Sequence, residues 1–193
     1  MKAPVKSANF DPVPEGNHVV RLYSLIHIGT VEDTYLGAVK QVDKVRLTWE
    51  LCHEKKEFKE GEGEKPFSIS REITLSMHSK ATLRTYIEAL EGHKLTDEEA
   101  AEDELESAIG KACLLNVVHE QGEDRIYAKA KTASPLVKGM DAPEMVNTPV
   151  FLDVNTITEE ELFALPEWLR EKIEKSLEWY QRKNADEEVP FEE

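Results

Sequence analysis

Cationic and aromatic side chains recur at alternate positions in three segments of this chain, 18–28, 44–52 and 125–133. A period of two places alternate residues on opposite faces of a strand. The cations and rings on the outward faces are Arg21, Tyr23, Lys44, Arg46, Arg125, Tyr127, Lys129 and Lys131. Cations pair with phosphates, and an exposed ring can stack on a base for about 1–3 kcal/mol. The pattern predicts a surface for single-stranded nucleic acid with little sequence preference, the alternative being an ordinary exposed sheet face.

Residue types that are typical of catalytic or metal sites are scattered along the chain. The six histidines form neither an HExxH nor an HxxE pairing, and no GxSxG occurs. The glycines of GEGEKP (61–66) lack the spacing of a phosphate-binding loop and its Lys-Ser/Thr pair. The acidic run 97–106 lacks the glycine and alternating carboxylates of a calcium-binding loop. The sequence therefore predicts no catalytic residue, no metal and no cofactor.

The formal net charge of -15 is unevenly distributed along the chain. Residues 141–193 hold 15 acidic against 5 basic side chains, and residues 88–106 hold 9 acidic side chains against one lysine. The remainder holds 18 basic and 15 acidic side chains, a balance of +3. Because charges in physiological salt act over a Debye length of roughly 8–10 Å, a locally basic face can bind anions beneath an acidic total.

Apolar alternation predicts five strands, and helical periodicity predicts a helical insert between the third and the fourth. The strands are expected at 18–28, 44–52, 67–77, 112–119 and 125–133. Residues 29–38 are expected to form a loop. Ser79 is the expected N-cap of one helix, and Thr96 with Glu99 predicts a capping box for a second helix reaching about residue 109. This order predicts a mainly β (β+α) fold, a five-stranded OB-fold barrel, with another small antiparallel β domain as the alternative.

Single residues refine that prediction. Trp49 and Tyr86 are expected in the core, and Arg71 falls on an apolar phase, so either a bulge lies there or its side chain reaches past the sheet edge. An amphipathic helix at 159–182 is expected to break near Pro166. The first strand is expected to share one apolar face among Val20, Leu22, Ile26 and Ile28. The expected parts are an irregular arm (1–16), an OB-fold DNA-binding domain (17–140), an extended segment with the amphipathic helix (141–183) and a disordered acidic tail (184–193).

The C-terminus joins carboxylates to one apolar anchor in DEEVPFEE (186–193). Such a peptide can place an aromatic ring in a cation-rimmed pocket of another protein. The residues expected to bind a partner are Glu187, Glu188, Pro190 and Phe191. The alternative is a tail that only increases solubility.

The segment EEVPF (187–191) resembles the acidic Pro-Phe tip of bacterial and phage single-stranded-DNA-binding proteins. The body resembles tailed-bacteriophage proteins of this kind over 12–30, 44–51, 64–84, 109–120 and 127–140. The resemblance implies an OB-fold, binding of single-stranded DNA, and recruitment of phage replication or recombination proteins. In the bacterial tip the phenylalanine is the last residue, whereas Glu192 and Glu193 follow it here, so the same partners cannot be assumed.

Three further sequence features bear on the cellular location of the protein. No apolar run is long enough to span a membrane, no secretory signal opens the chain, and only Cys52 and Cys113 are present, which predicts the cytoplasm, that of a bacterial host if the protein is phage-encoded. The helix at 159–182 is expected to pack either on its own barrel or, in a homo-oligomer, on another subunit.

Two rival functions remain. The first is an acidic protein-interaction adaptor or inhibitor of a host DNA-processing enzyme. The second is a nuclease, which the missing catalytic cluster disfavours.

Overall fold

The fold is described by a computed structural model over residues 11–35 and 37–187. These residues form six strands, five α-helices and a 3₁₀ turn at Leu105–Ala108. The strands are β1 (Gly16–Tyr35), β2 (Ala38–Lys56), β3 (Lys65–Thr74), β4 (Ala112–Gln121), β5 (Ile126–Ser134) and β6 (Val150–Asp153). The helices are α1 (Thr82–Glu91), α2 (Asp97–Glu102), α3 (Glu159–Ala164), α4 (Glu167–Glu174) and α5 (Leu177–Glu187). The predicted mainly β class with added helices is confirmed, with six strands rather than five.

The strands form one sheet in the order β3-β2-β1-β4-β5, in which every neighbouring pair is antiparallel. The second edge of β1 pairs with β4 over 16–21 and then, in parallel, with β6 over 24–27. In the described residues no backbone ladder joins β3 to β5, so the sheet is not closed.

Arg71 spans the gap between β3 and β5. The register of β2 and β3 runs without a break through Leu47 and Arg71, so no bulge lies at this position. The Arg71 guanidinium donates hydrogen bonds to the carbonyl oxygens of Ala130 (2.9 Å) and Lys131 (2.8 Å) and to the Tyr86 hydroxyl (2.5 Å). Of the two expectations for Arg71, the side chain that reaches past the sheet edge is the correct one.

The expected loop at 29–38 is wrong, because β1 and β2 continue as a long hairpin whose last described pair is Tyr35 with Ala38. The glycines that suggested a loop have other roles. Gly37 has a positive φ of 78° in the turn. Gly29 has a φ of 92° beside a register shift, and a Cβ there would overlap Ser176 at the start of α5. Val31 and Val42 pair within the extension, as expected of β-branched residues in strands.

The predicted faces of β1 are also wrong after Leu22. A register shift between Leu22 and Ser24 inserts one extra residue, which moves the side chains between it and the second shift after His27 to the other face. Leu25 therefore joins Leu22 in the main core, whereas Ile26 and Ile28 point to the opposite side of the sheet. That side must be covered, and the C-terminal segment covers it.

Two cores result, one on each side of the sheet. The main core lies between the curved sheet and α1 and holds Trp49 and Tyr86, both buried as predicted, with ring centroids 5.1 Å apart. The second core packs the C-terminal helices against the outer face of β1. Its buried members are Ile26, Ile28, Val31, Val154, Ile157, Leu162, Leu169, Ile173 and Trp179. The C-terminal segment thus packs on its own sheet.

Helix boundaries follow local signals with a few differences. The predicted single helix at 159–182 is three helices, with the expected break at Pro166 and a further one near Ser176. The capping box of Thr96 and Glu99 is confirmed, but α2 is short. The N-cap of α1 is Ala81 rather than Ser79. None of the described helices is both long and apolar enough to cross a bilayer.

Candidate nucleic-acid interface

Four of the predicted site residues lie together on β5 and the turn that precedes it. We call Arg125, Tyr127, Lys129 and Lys131 the β5 strip. All four side chains are exposed, and that of Tyr127 retains 44% of its accessible surface. Ala130, between the two lysines, points into the main core as predicted. Ile126 was expected inward but is exposed, as the first residue of the strand.

The β4–β5 turn fixes the aromatic end of the strip. The backbone N–H of Gly122 donates to the carbonyl of Arg125 (2.9 Å), and a Cβ at Gly122 would overlap the Tyr127 ring. The Arg125 guanidinium lies over the same ring, 4.7 Å from its centroid. Guanidinium planes and aromatic rings both offer stacking surfaces to bases, so this pair is a pre-built platform at the end of the strip.

The two lysines of the strip continue the positive charge away from that platform. Lys129 pairs with Glu120 on β4. The hydrogen bond from Lys129, together with the charges of Lys129 and Lys131, holds the pKa of Glu120 below its ordinary value. The β4–β5 register shifts between Asn116 and Val117, which makes Lys131 the extra residue of a bulge. A phosphate would therefore compete with Glu120 for Lys129 and meet Lys131 beside it.

Arg21 and Lys44, also predicted to bind DNA, are engaged within the protein. The Arg21 guanidinium donates to three backbone carbonyls, those of Gly110 (2.5 Å), Ala142 (2.5 Å) and Pro143 (2.6 Å). Lys44 is mostly buried and pairs with Asp33 at 2.6 Å. These contacts hold the C-terminal segment and the β1–β2 hairpin, so both residues lie outside the interface that we propose below.

Arg46 and Tyr23 lie on the outer face of the sheet beside the C-terminal helices. Tyr23 is half-buried and lies near Arg46. The Arg46 guanidinium is 3.2 Å from a carboxylate oxygen of Glu72 and lies over the Trp168 ring, 4.7 Å from its centroid. Lys172 of α4 pairs with the other oxygen of Glu72. We call Arg46, Glu72, Trp168 and Lys172 the β2–α4 cluster.

Sequence reasoning missed Trp168 as a member of this cluster. Its spacing placed it with the apolar residues of an amphipathic helix in an acidic segment. In the structure the side chains of Leu169 and Ile173 are buried in the second core, whereas the side chain of Trp168 is exposed. No local signal could have found the contact, because Arg46 is more than 120 positions away.

Six of the eight predicted DNA contacts therefore lie in two places, the β5 strip and the region of Arg46 and Tyr23, and Arg71 connects the two. Arg71 bonds to the carbonyl of Lys131 in the β5 strip, and the next residue along β3 is Glu72 in the β2–α4 cluster. Successive residues of a strand point to opposite faces, so Arg71 lies on the core side and Glu72 on the outer side of the same strand. Only β3 separates the two groups.

Other polar groups of β1 and β2 attach the C-terminal segment to the sheet. Burial alone would lower the pKa of His27, but hydrogen bonds to Asp153 and Asp43, both 2.8 Å, outweigh it and raise the pKa above its ordinary value. The buried Glu50 carboxylate accepts from the backbone N–H groups of Val146 and Asn147, each at 2.8 Å. The polar atoms of these side chains have hydrogen-bond partners, and their bonds hold the C-terminal segment against the sheet.

The structure describes only the first of the four predicted partner-binding residues. Glu188, Pro190 and Phe191 lie outside the described residues, and Glu187 is the last described position. Across 11–35 and 37–187, no three His, Cys, Asp or Glu side chains are arranged to hold a metal ion. No protein-family model matches this chain, and neither does any curated protein sequence. The functional conclusion therefore depends on the geometry of the two surface groups.

Proposed function

We propose that this protein binds single-stranded DNA without strong sequence preference and has no catalytic activity of its own. The observation that carries this proposal is the β5 strip, in which an exposed ring, a guanidinium stacked on it and two lysines follow one strand. Cations at alternate positions can follow a phosphate backbone, and a stacking platform accepts the face of any base. Roles in DNA replication or recombination, and recruitment of partners by the tail, belong to the proposal through the sequence resemblance.

The strand order supports the finer part of the proposal, that the sheet is an OB-fold. An OB-fold is a five-stranded, partly open barrel that binds oligonucleotides over strands 2 and 3 and the loops 1–2 and 4–5. Here the order β3-β2-β1-β4-β5, with helices between β3 and β4, fits such a barrel. Arg71 would join β3 to β5, the two strands at which the barrel is open. The β5 strip begins in the 4–5 loop, where such a fold takes its ligand.

The test is a fluorescence titration of the full chain with oligo-dT, oligo-U and duplex DNA at two salt concentrations. We expect oligo-dT to bind most tightly. The log–log salt slope for single strands is about -0.7 per neutralised phosphate, so Lys129→Ala with Lys131→Ala should flatten it by about 1.4. The matched control is Lys59→Ala with Lys175→Ala, which removes the same charge from two highly exposed lysines elsewhere.

Three results would contradict the proposal. If the chain binds no oligonucleotide even at low salt, the function is wrong and an acidic adaptor is favoured. If duplex binds as tightly as oligo-dT, the single-strand preference is wrong. If the control variant changes the slope as much as the variant of the strip, the site is wrong.

A further inference from the structure

We propose that Trp168 is a second base-stacking platform, so that the C-terminal helices form part of the nucleic-acid path. This inference rests on the proposed function and extends it to a segment outside the five-stranded part of the sheet. The occupant is a base of the same single strand that the β5 strip binds.

The exposure of Trp168 is the first observation. Tryptophan is highly buried on average, and Trp49 and Trp179 are both buried in this chain. Trp168 nevertheless keeps 51% of its surface exposed, although its neighbour Leu169 on the same helix is buried. The Arg46 guanidinium lies over the indole and orients it, and a base can stack on the solvent side of this pair.

The charge around the indole is the second observation. Arg46 and Lys172 share one carboxylate, that of Glu72, so the β2–α4 cluster carries two cations and one anion. Glu167 and Glu171 are exposed on the same helix, so a phosphate beside Trp168 would be bound by direct pairing with Arg46 and Lys172 and not by the net charge of the segment. A docked acidic peptide without an aromatic residue would use the same cations but would offer no ring to stack on the exposed indole.

Continuity with the β5 strip is the third observation. Arg71 of β3 donates to the Lys131 carbonyl in the β5 strip, and the next residue, Glu72, pairs with Arg46 and Lys172 of the β2–α4 cluster. Adjacent residues of one strand thus link the β5 strip to the β2–α4 cluster. A strand that leaves the Arg125–Tyr127 platform can therefore pass Lys129 and Lys131, cross β3 and place a later base on Trp168.

The test uses Trp168 as its own reporter in titrations of the full chain with oligo-dT. In the wild type, oligo-dT should quench the tryptophan fluorescence. Trp168→Phe keeps a ring, so we expect affinity within about threefold of the wild type and loss of most of the quenching. Trp168→Ala removes the platform, and we expect affinity, measured by anisotropy of a labelled oligonucleotide, to fall at least about fivefold. Tyr180→Ala, which removes another highly exposed ring from the C-terminal helices, is the matched control and should bind as the wild type does.

The outcomes separate this inference from the proposed function. Quenching that persists in Trp168→Phe, or a Trp168→Ala variant that binds within twofold of the wild type, would overturn the second platform while leaving the β5 strip in place. An equal loss in Tyr180→Ala would show that the effect is not specific to Trp168 and would also overturn it. A wild type that binds no oligonucleotide would refute the proposed function itself.

Discussion

Replacing Arg71 by alanine removes the side chain that joins β3 to β5. The wild-type guanidinium donates from one nitrogen to the carbonyls of Ala130 and Lys131 and to the Tyr86 hydroxyl. It also lies 5.6 Å from the centroid of the Tyr86 ring. In the described residues no backbone ladder joins these two strands, so we expect the variant to lose a large part of what holds them together.

The expected cost follows from these contacts. A hydrogen bond from a charged donor contributes about 1.5–3 kcal/mol, and one nitrogen shared among three acceptors counts for one or two such bonds. The cation–π contact adds about 0.5–1 kcal/mol at a half-exposed site. We therefore expect Arg71→Ala to lower the free energy of unfolding by about 2–4 kcal/mol, which for a chain of this size lowers Tm by roughly 5–15 °C.

Urea denaturation followed by circular dichroism and by tryptophan fluorescence measures this loss. Tyr86→Phe is the matched control. It removes the hydroxyl, which accepts from Arg71 and donates to the Lys131 carbonyl at 3.2 Å, but it leaves both bonds from Arg71 to the carbonyls, and its expected cost is about 1–2 kcal/mol. The reasoning is refuted if Arg71→Ala costs less than about 0.5 kcal/mol, or if Tyr86→Phe costs more than Arg71→Ala.

Three further changes test other contacts. Glu120→Gln removes the carboxylate that pairs with Lys129, so oligo-dT should bind a few-fold more tightly, and unchanged or weaker binding would contradict that competition. Gly29→Ala places a Cβ against Ser176 at a φ of 92°, so the urea midpoint should fall, and an unchanged midpoint would show that α5 docks differently. Burial disfavours the charged form of His27, but the hydrogen bonds that its ring donates to Asp153 and Asp43 outweigh this and raise its pKa. The stability that the charged form supplies is therefore fully present below about pH 6.5 and is lost as the pH rises through the raised pKa. The urea midpoint of the wild type should therefore fall between pH 6 and 8 relative to His27→Gln, and parallel pH profiles would contradict this.

Several features could be predicted because each depends on residues a few positions apart. The capping box of Thr96 and Glu99 and the break at Pro166 are local backbone preferences. Trp49 fell on an apolar phase because alternation within one strand specifies its two faces. The exposure of the β5 strip follows from the same alternation, whereas its binding to DNA stays a prediction.

Whether an outward-facing side chain is covered, and by which segment, depends on residues far away in the sequence. One extra residue after Leu22 turned Ile26 and Ile28 to the other side of the sheet, and the apolar face that they form is covered by helices more than 120 positions later. The same C-terminal segment supplies two of the three carbonyl partners of Arg21, Ala142 and Pro143, and brings Trp168 against Arg46. Short-range periodicity determined which side chains leave the sheet. Only tertiary packing decided which of them still face solvent, because burial of a second apolar face brings in groups that no local pattern specifies.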